Sequence, residues 1–207
     1  FENQPVILTA TKNTKGHLSM RLIIGISGSS GVIYGIRLLQ VLKEQAQVET
    51  HLVMSPTAKM NIPIEIDMEV KEVEALADVV HKFNDVAASI SSGSFKTDGM
   101  IIAPCSMKTL SSIVHSFADN LLARSADVVL KEGRKLVLMP RETPLHIGHC
   151  RLLYEAAQMG VLIAPPMPAF YNRPETIDDL INHSVGRVLD LFSLDSGVVK
   201  RWAGSKN

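Results

Sequence analysis

Three short stretches place hydroxyls, cations and a carboxylate directly after apolar runs, where a folded chain presents groups to a ligand. "GSSG" (28–31) combines two hydroxyls, Ser29 and Ser30, with backbone N–H groups and the start of a helical pattern, an arrangement suited to an anion. It matches neither G-x-G-x-x-G nor the Walker loop with its Lys. A dinucleotide site would want an acid at the end of the second strand, and Ser55 stands there instead, so the turn suits a mononucleotide. The same residues also read as a tight strand-to-helix turn with no ligand. "PCSMKTLSS" (104–112) places Ser106, Met107, Lys108 and Thr109 at a second such junction. Its hydroxyls and first-turn amides suit a flavin ring edge or a phosphate, and Ser106 equally reads as an ordinary N-cap. "PRE" (140–142) sets Arg141 beside Glu142. The guanidinium fits a phosphate bidentately, and the carboxyl becomes a proton carrier if burial at the strand end raises its pKa. Lys131, Arg173 and Arg187 are further cations, each also readable as a solvated surface residue.

Other chemistries find less support. "HIGHC" (146–150) spaces His146 and His149 like metal ligands, but no third ligand follows at a suitable interval, so no metal is expected. Asp178 and Asp179 read as the first turn of a helix, complementing its dipole, without the third acid of a Mg-diphosphate motif. Cys105 has no His near it in sequence and reads as a small buried residue. Two cysteines in all are too few for a disulfide framework and point to a reducing compartment, the cytoplasm. Lys+Arg and Asp+Glu both number 21, so no overall field recruits nucleic acid or an anionic membrane. With 46% hydrophobic and 20% charged residues the chain is of globular type, and no apolar run reaches the roughly 18 residues of a bilayer span.

The elements that must carry these groups alternate in type. Strands are predicted at 21–27, 48–55, 98–104, 135–140 and 160–166, and helices at 32–44, 118–132, 148–159 and 174–192. Short apolar strands alternating with helices predict an α/β fold, a doubly wound parallel sheet with helices on both faces. Ligands in such folds sit at the C-terminal ends of the strands, which is where the three stretches fall. No repeat or linker divides residues 20–207, so one domain is expected there. Residues 1–19 are polar and aperiodic and resemble no targeting peptide; Met20 is expected to be the natural start, with an appended leader before it.

Taken together, "GISGSSGVIYGIRLLQVL", "VETHLVMS", "ISSGSF", "DGMIIAPCSMKTL", "ARSADVVLKEGRKLVLMPRETPL" and "PPMPAFYNRP" resemble the UbiX-type flavin prenyltransferases and their Pad-type homologues, from Met20 to Trp202. The resemblance implies a flavodoxin-like domain that joins a dimethylallyl group from dimethylallyl monophosphate to N5 and C6 of reduced FMN. The product would serve UbiD-type decarboxylases, including the one in ubiquinone biosynthesis; members were formerly named aromatic-acid decarboxylases themselves. It further implies a dodecamer with the site at subunit contacts. By the same resemblance, Gly28, Ser29, Ser30, Ser55, Ser106, Met107, Lys108, Thr109 and Arg141 bind FMN. Lys131, Arg141, Tyr171 and Arg187 bind the prenyl phosphate, with Trp202 near the substrate, and Ser30, Glu65 and Glu142 stand near the reacting flavin. Ser29 departs from the usual Ala of that turn. Several cations and a phenol would stabilise the leaving phosphate without a metal. Two other readings stay open: a flavin-dependent cysteine decarboxylase, although "PCSMKT" lacks the Asn of that family's matching segment, and a non-catalytic FMN carrier.

Overall fold

The computed structural model describes residues 20–199, 201 and 204. The expected leader at 1–19 and Trp202 lie outside the described residues. Six parallel strands form one sheet: β1 (Met20–Ile26), β2 (Val48–Met54), β3 (Val79–His81), β4 (Gly99–Cys105), β5 (Lys135–Pro140) and β6 (Leu162–Ile163), in the order β3-β2-β1-β4-β5-β6. Without the short edge strand β3, this is the five-stranded order of flavodoxin-like sheets. The expected doubly wound parallel architecture is the one observed.

Alternation along the strands explains the two-sided burial. Leu22, Ile24 and Ile26 of β1, Ile101 and Ala103 of β4, and Val137 and Met139 of β5 belong to one core. Ile23, Met100, Ile102, Leu136 and Leu138 belong to the other. Successive strand residues point to opposite faces, so each continuous apolar run supplies both layers. The first core is covered by α1 (Val32–Lys43), α2 (Pro56–Glu65), α3 (Val70–Glu74) and α7 (Ile177–Asp190). The second is covered by α4 (Met107–Val114), α5 (Leu121–Lys131) and α6 (Ile147–Gln158).

The chain reverses its direction of winding between β1 and β4, which opens a crevice above their C-terminal ends. Gly35 lets α1 lie close against β4: a Cβ there would come within 2.3 Å of the Ala103 carbonyl oxygen. The ends of the two central strands are also tied directly. Ser27 is fully buried, its hydroxyl donates to the Pro104 carbonyl (2.9 Å) and accepts from the Ser106 N–H (2.7 Å). The turns after β1 and β4 are thus held in fixed relation.

Several predicted boundaries need correction. The segment between β2 and β4 holds α2, α3, β3 and a 3-10 turn at Ser89–Ser91, none of which the periodicity predicted. The strand expected over 160–166 pairs as β6 only at Leu162–Ile163, with one further bond from the Ala164 N–H to Leu138. Pro165 and Pro166 follow and have no N–H to continue the ladder. The last helix starts at Ile177 rather than 174, behind a capping box of Thr176 and Asp179. The expected placement of Asp178 and Asp179 in its first turn is observed.

Candidate functional site

A cleft of about 320 Å³ opens above the C-terminal ends of β1, β2 and β4. Gly28, Ser55, Ser106, Lys108 and Thr109, all named from sequence, line it together. The physical reason is topological: every strand of a parallel sheet delivers its following turn to the same edge. The structure adds Thr57, Phe83, Ser112, Asn120 and Ala123, which sequence reasoning missed.

Three helix N-termini converge on this cleft. Ser55 caps α2 by accepting from the Ala58 N–H (3.1 Å), and Ser106 caps α4 by accepting from the Thr109 N–H (3.2 Å). Asn120 caps α5 by accepting from the Ala123 N–H (3.0 Å). Each N-terminus carries roughly half a positive charge, which favours an anion, while the lining charges of Lys108 and Asp119 offset each other. The Ser106 hydroxyl donates to Thr109 Oγ1 at 3.1 Å, which leaves the Thr109 hydroxyl hydrogen available to a ligand. Both readings of Ser106, cap and cleft-lining residue, therefore hold at once. Two signals for the missed residues stand in the sequence: "SPT" is a cap followed by Pro at the first helical position, and Asn120 precedes an amphipathic run.

The Gly-Ser turn works differently from the expectation in one respect. The first amides of α1 do not wait for an anion: Glu65 Oε2 accepts from the N–H groups of Gly31 (2.8 Å) and Val32 (3.1 Å). Gly31 has no side chain to cap α1, and Glu65, the last residue of α2, does so from across the crevice. The anion-binding donors are thus those of α2, α4 and α5. Arg141 Nε donates to the Ser30 carbonyl (3.2 Å), and its backbone N–H donates to Cys105 (3.2 Å), so the guanidinium is fastened to the same turn. Its two terminal nitrogens make no hydrogen bond to the described residues.

The residues present fit a flavin mononucleotide. Ser29 Oγ is buried without a hydrogen-bond partner among the described residues, but neither Ser29 nor Ser30 lines the cleft. Gly28 lies so close to Thr57 that a Cβ would come within 2.6 Å of the Thr57 Cβ, which lets the turn's backbone approach a ligand. Phe83 gives the cleft an aromatic wall, and its carbonyl accepts from the Leu121 N–H (2.8 Å). Met107 is the exception, because its side chain packs into the second core.

The other named residues are not brought together by one chain. Glu142 is exposed, with Oε1 accepting from the Thr143 N–H (3.0 Å), so the burial expected at this strand end is not supplied by the described residues. Tyr171 and Arg187 line a separate groove of about 260 Å³ with Val199 and Arg201. Lys131 ends α5, about 12 Å of helix beyond Ala123, the last residue of α5 that lines the cleft. Its Nζ pairs with Glu132 at 2.5 Å, beside Gly93. Arg173 lines a third recess with Asn172 and Glu175. Cys105 is buried and its thiol is pushed up to about 12 by that burial, as befits a core residue rather than a nucleophile. His146 and His149 stack at 3.6 Å between centroids, and no group of three metal-ligating side chains is found among the described residues.

The family model described as Flavoprotein matches residues 10–188. The chain is 60% identical over 187 residues to the flavin prenyltransferase UbiX of Escherichia coli (strain K12), covering 89% of this chain and 99% of that protein. A dodecameric FMN-dependent UbiX-like decarboxylase from Escherichia coli O157:H7 superposes with a TM-score of 0.88 at 55% identity, over 89% of this chain and 100% of that one. A UbiX homologue solved with FMN and dimethylallyl pyrophosphate also has a TM-score of 0.88, at 51% identity, over 90% of this chain and 99% of its own.

Proposed function

We propose, on the premise that the chain belongs to the UbiX-type flavin prenyltransferase family, that it joins a dimethylallyl group from dimethylallyl monophosphate to N5 and C6 of reduced FMN. The observation that carries this reading is the convergence of Gly28, Ser55, Ser106, Lys108 and Thr109 on one cleft beneath three helix N-termini. Reduced FMN, when bound, supplies the two nucleophilic ring positions.

The protein's own residues position and neutralise. The N-terminal amides of α2, α4 and α5 and the Lys108 ammonium hold an anionic group in the cleft. Arg141 is fastened to the Ser30 turn through Nε, and its terminal nitrogens are proposed to meet the departing phosphate. Breaking an allylic C–O bond leaves a phosphate of about two negative charges. Arg141, Arg187, Lys131 and the Tyr171 hydroxyl stabilise it electrostatically, without a metal. The second bond uses up the dimethylallyl double bond, so of the two protons lost, at N5 and at C6, one returns to that double bond and the other is taken by a carboxylate or by the phosphate itself. Glu142 is the better placed carboxylate: Thr143 holds its Oε1, and Oε2 remains open. Glu65 Oε2 already accepts two amide hydrogens, and its role is to hold the Gly-Ser turn.

The distance between Lys131 and the cleft has a consequence for assembly. Lys131 is proposed to serve the phosphate from a neighbouring copy, in a homo-oligomer like the dodecameric Escherichia coli O157:H7 relative. A UbiD-type decarboxylase is the proposed recipient of the product. The cytoplasm is the proposed compartment; the two cysteines, unpaired, suit it, and no described helix is long and apolar enough to cross a membrane.

The test is anaerobic incubation with reduced FMN and dimethylallyl monophosphate in the presence of EDTA. A flavin heavier by the prenyl group, with an altered spectrum, is expected. FMN binding with no change in flavin mass would instead make the protein a carrier, and preference for FAD or NAD in calorimetry would overturn the mononucleotide site.

A further inference from the structure

Phe83, the aromatic wall of the cleft, follows β3, a three-residue edge strand that pairs with β2 alone. A row of side chains runs beside that pairing. Arg21 of β1 donates from Nε and Nη2 to the two carboxylate oxygens of Glu49 on β2 (3.0 and 3.1 Å). Glu49 Oε1 lies 2.7 Å from His51 Nε2, and His51 Nδ1 lies 2.9 Å from His81 Nε2 at the end of β3. His51 is 2% exposed, with the Phe95 ring edge-on at 5.3 Å. Beyond His81 the chain passes Lys82 to Phe83, whose carbonyl accepts from the Leu121 N–H (2.8 Å) at the start of α5. Phe83 is thus held from one side by α5 and from the other by the end of β3.

We propose that His81 is a positioning residue for flavin binding: paired with His51, it keeps the end of β3, and with it Phe83, in place against the cleft, and protonation of both rings releases that wall. This rests on the reading that the cleft holds FMN. The hydrogen bonds of the row run one way. Chiefly through the Arg21 hydrogen bond, the Glu49 carboxyl is held below the usual carboxylate range, so it only accepts. His51 therefore carries its proton on Nε2, its Nδ1 accepts, and His81 donates from Nε2. A first added proton is tolerated, because His81 can move its own proton to Nδ1 while His51 donates from Nδ1. A second sets N–H against N–H and a charge on each ring, and the pair parts. The charged groups that face the rings are Arg21 on β1, Glu49 on β2, and Asp78 and Asp85 on either side of β3. Burial lowers the pKa of His51, and burial, then the neighbouring His51, lowers that of His81, so both rings are neutral at pH 7. Among the described residues β3 has no strand on its outer side to hold it once the pair has parted.

The test is FMN affinity by calorimetry on the full-length protein at pH 7.5 and 5.5. The FMN phosphate itself takes up a proton near pH 6, so the unmodified protein is read against His81→Gln. That amide reaches as far as Nε2 and donates or, turned over, accepts, but takes no proton. Between the two pH values the unmodified protein should lose about tenfold more affinity than His81→Gln, the effect of one extra proton over one pH unit. His81→Phe, which cannot donate, should weaken FMN about fivefold already at pH 7.5. On a Phe83→Ala background, itself weaker, His81→Phe should change the affinity no further. In the unmodified protein, histidine C2 hydrogen exchange read by mass spectrometry should show His81 titrating at lower pH with FMN bound than without, because the coupling is reciprocal. Equal pH dependence in the unmodified protein and His81→Gln, or a His81 titration that FMN does not move, overturns the inference and leaves the phosphate as the source of any acid loss. A His81→Phe loss that persists on the Phe83→Ala background overturns the route through Phe83. No FMN binding by the unmodified protein at pH 7.5 would bring down the flavin reading of the cleft, and this inference with it.

Discussion

The cleft above β1, β2 and β4 and the groove beside α7 are built on opposite plans. The cleft takes its ligands from turns that directly follow strands, and one chain assembles it from caps and backbone amides. The groove takes Tyr171 from the segment after β6, Arg187 from the third turn of α7, and Arg201 from beyond that helix. Its charges are held by side-chain pairs, Arg187 and Arg201 on Asp190 and Tyr171 on His183. The lesson is that a mononucleotide anchor is a property of the sheet, whereas the proposed second phosphate site rests on side-chain scaffolding and, in that proposal, on Lys131 of a second copy.

The largest effect that would break this contrast is at Glu142. Glu142→Gln should lower the single-turnover rate on the order of 10²-fold at saturating FMN and prenyl phosphate, with FMN affinity preserved. A near-normal rate would remove Glu142 as the base and leave Glu65 or the phosphate itself. Next in size is Lys131→Ala, expected to slow turnover by about 10- to 100-fold through the lost charged contact. Mixing dissociated Lys131→Ala and Glu142→Gln subunits and reassembling them should recover part of the activity, since some sites then receive both intact residues from different chains. No recovery in a verified mixed oligomer would put Lys131 and Glu142 in one site of one chain, against the roughly 12 Å of helix that separates Lys131 from the cleft-lining part of α5.

A smaller effect, confined to the cleft, is expected from Gly28→Ala. The new Cβ would press on the Thr57 side chain at 2.6 Å and displace the turn, weakening FMN by about tenfold while prenyl phosphate binding at the groove is unchanged. Equal losses at both sites would mean that the two regions are not separable. The smallest effect is on stability against pH. His51 is buried between Glu49 (Nε2 to Oε1, 2.7 Å) and His81 (Nδ1 to Nε2, 2.9 Å), and His81 leads through Lys82 to the cleft residue Phe83. Burial lowers the pKa of His51, and burial, then the neighbouring His51, lowers that of His81. The unfolded chain therefore binds protons first as pH falls. Stability from this pair is full above the ordinary His value near 6.5 and is lost as pH drops through the lowered folded values. Melting temperature followed from pH 7.5 to 5 should fall, and His81→Phe should flatten the slope; an unchanged slope would remove the pair as its source.

Much of the cleft was legible because strand-to-helix junctions announce themselves: apolar run, Gly or Ser, then a helical period. Gly28, Ser55 and Ser106 to Thr109 were found that way. Thr57, Phe83 and Asn120 were not. α2 carries Pro63 and exposes Met60 and Ile64, so its apolar pattern is weak, and β3 is a three-residue edge strand with no run to detect. The capping of α1 by Glu65 joins residues 34 positions apart and leaves no local signal.

The sequence by itself determined the alternation of strands and helices, the two apolar faces, and the residue types of the mononucleotide turn, because those are local properties of spacing and side-chain chemistry. Only the tertiary structure decided that three helix N-termini face one cleft, that Glu65 closes α1, that His183 meets Tyr171, and that Lys131 stands at the end of α5 remote from that cleft. Each of these depends on where a helix lies on the sheet, and that is fixed by packing across both cores, over separations that no spacing along the chain encodes.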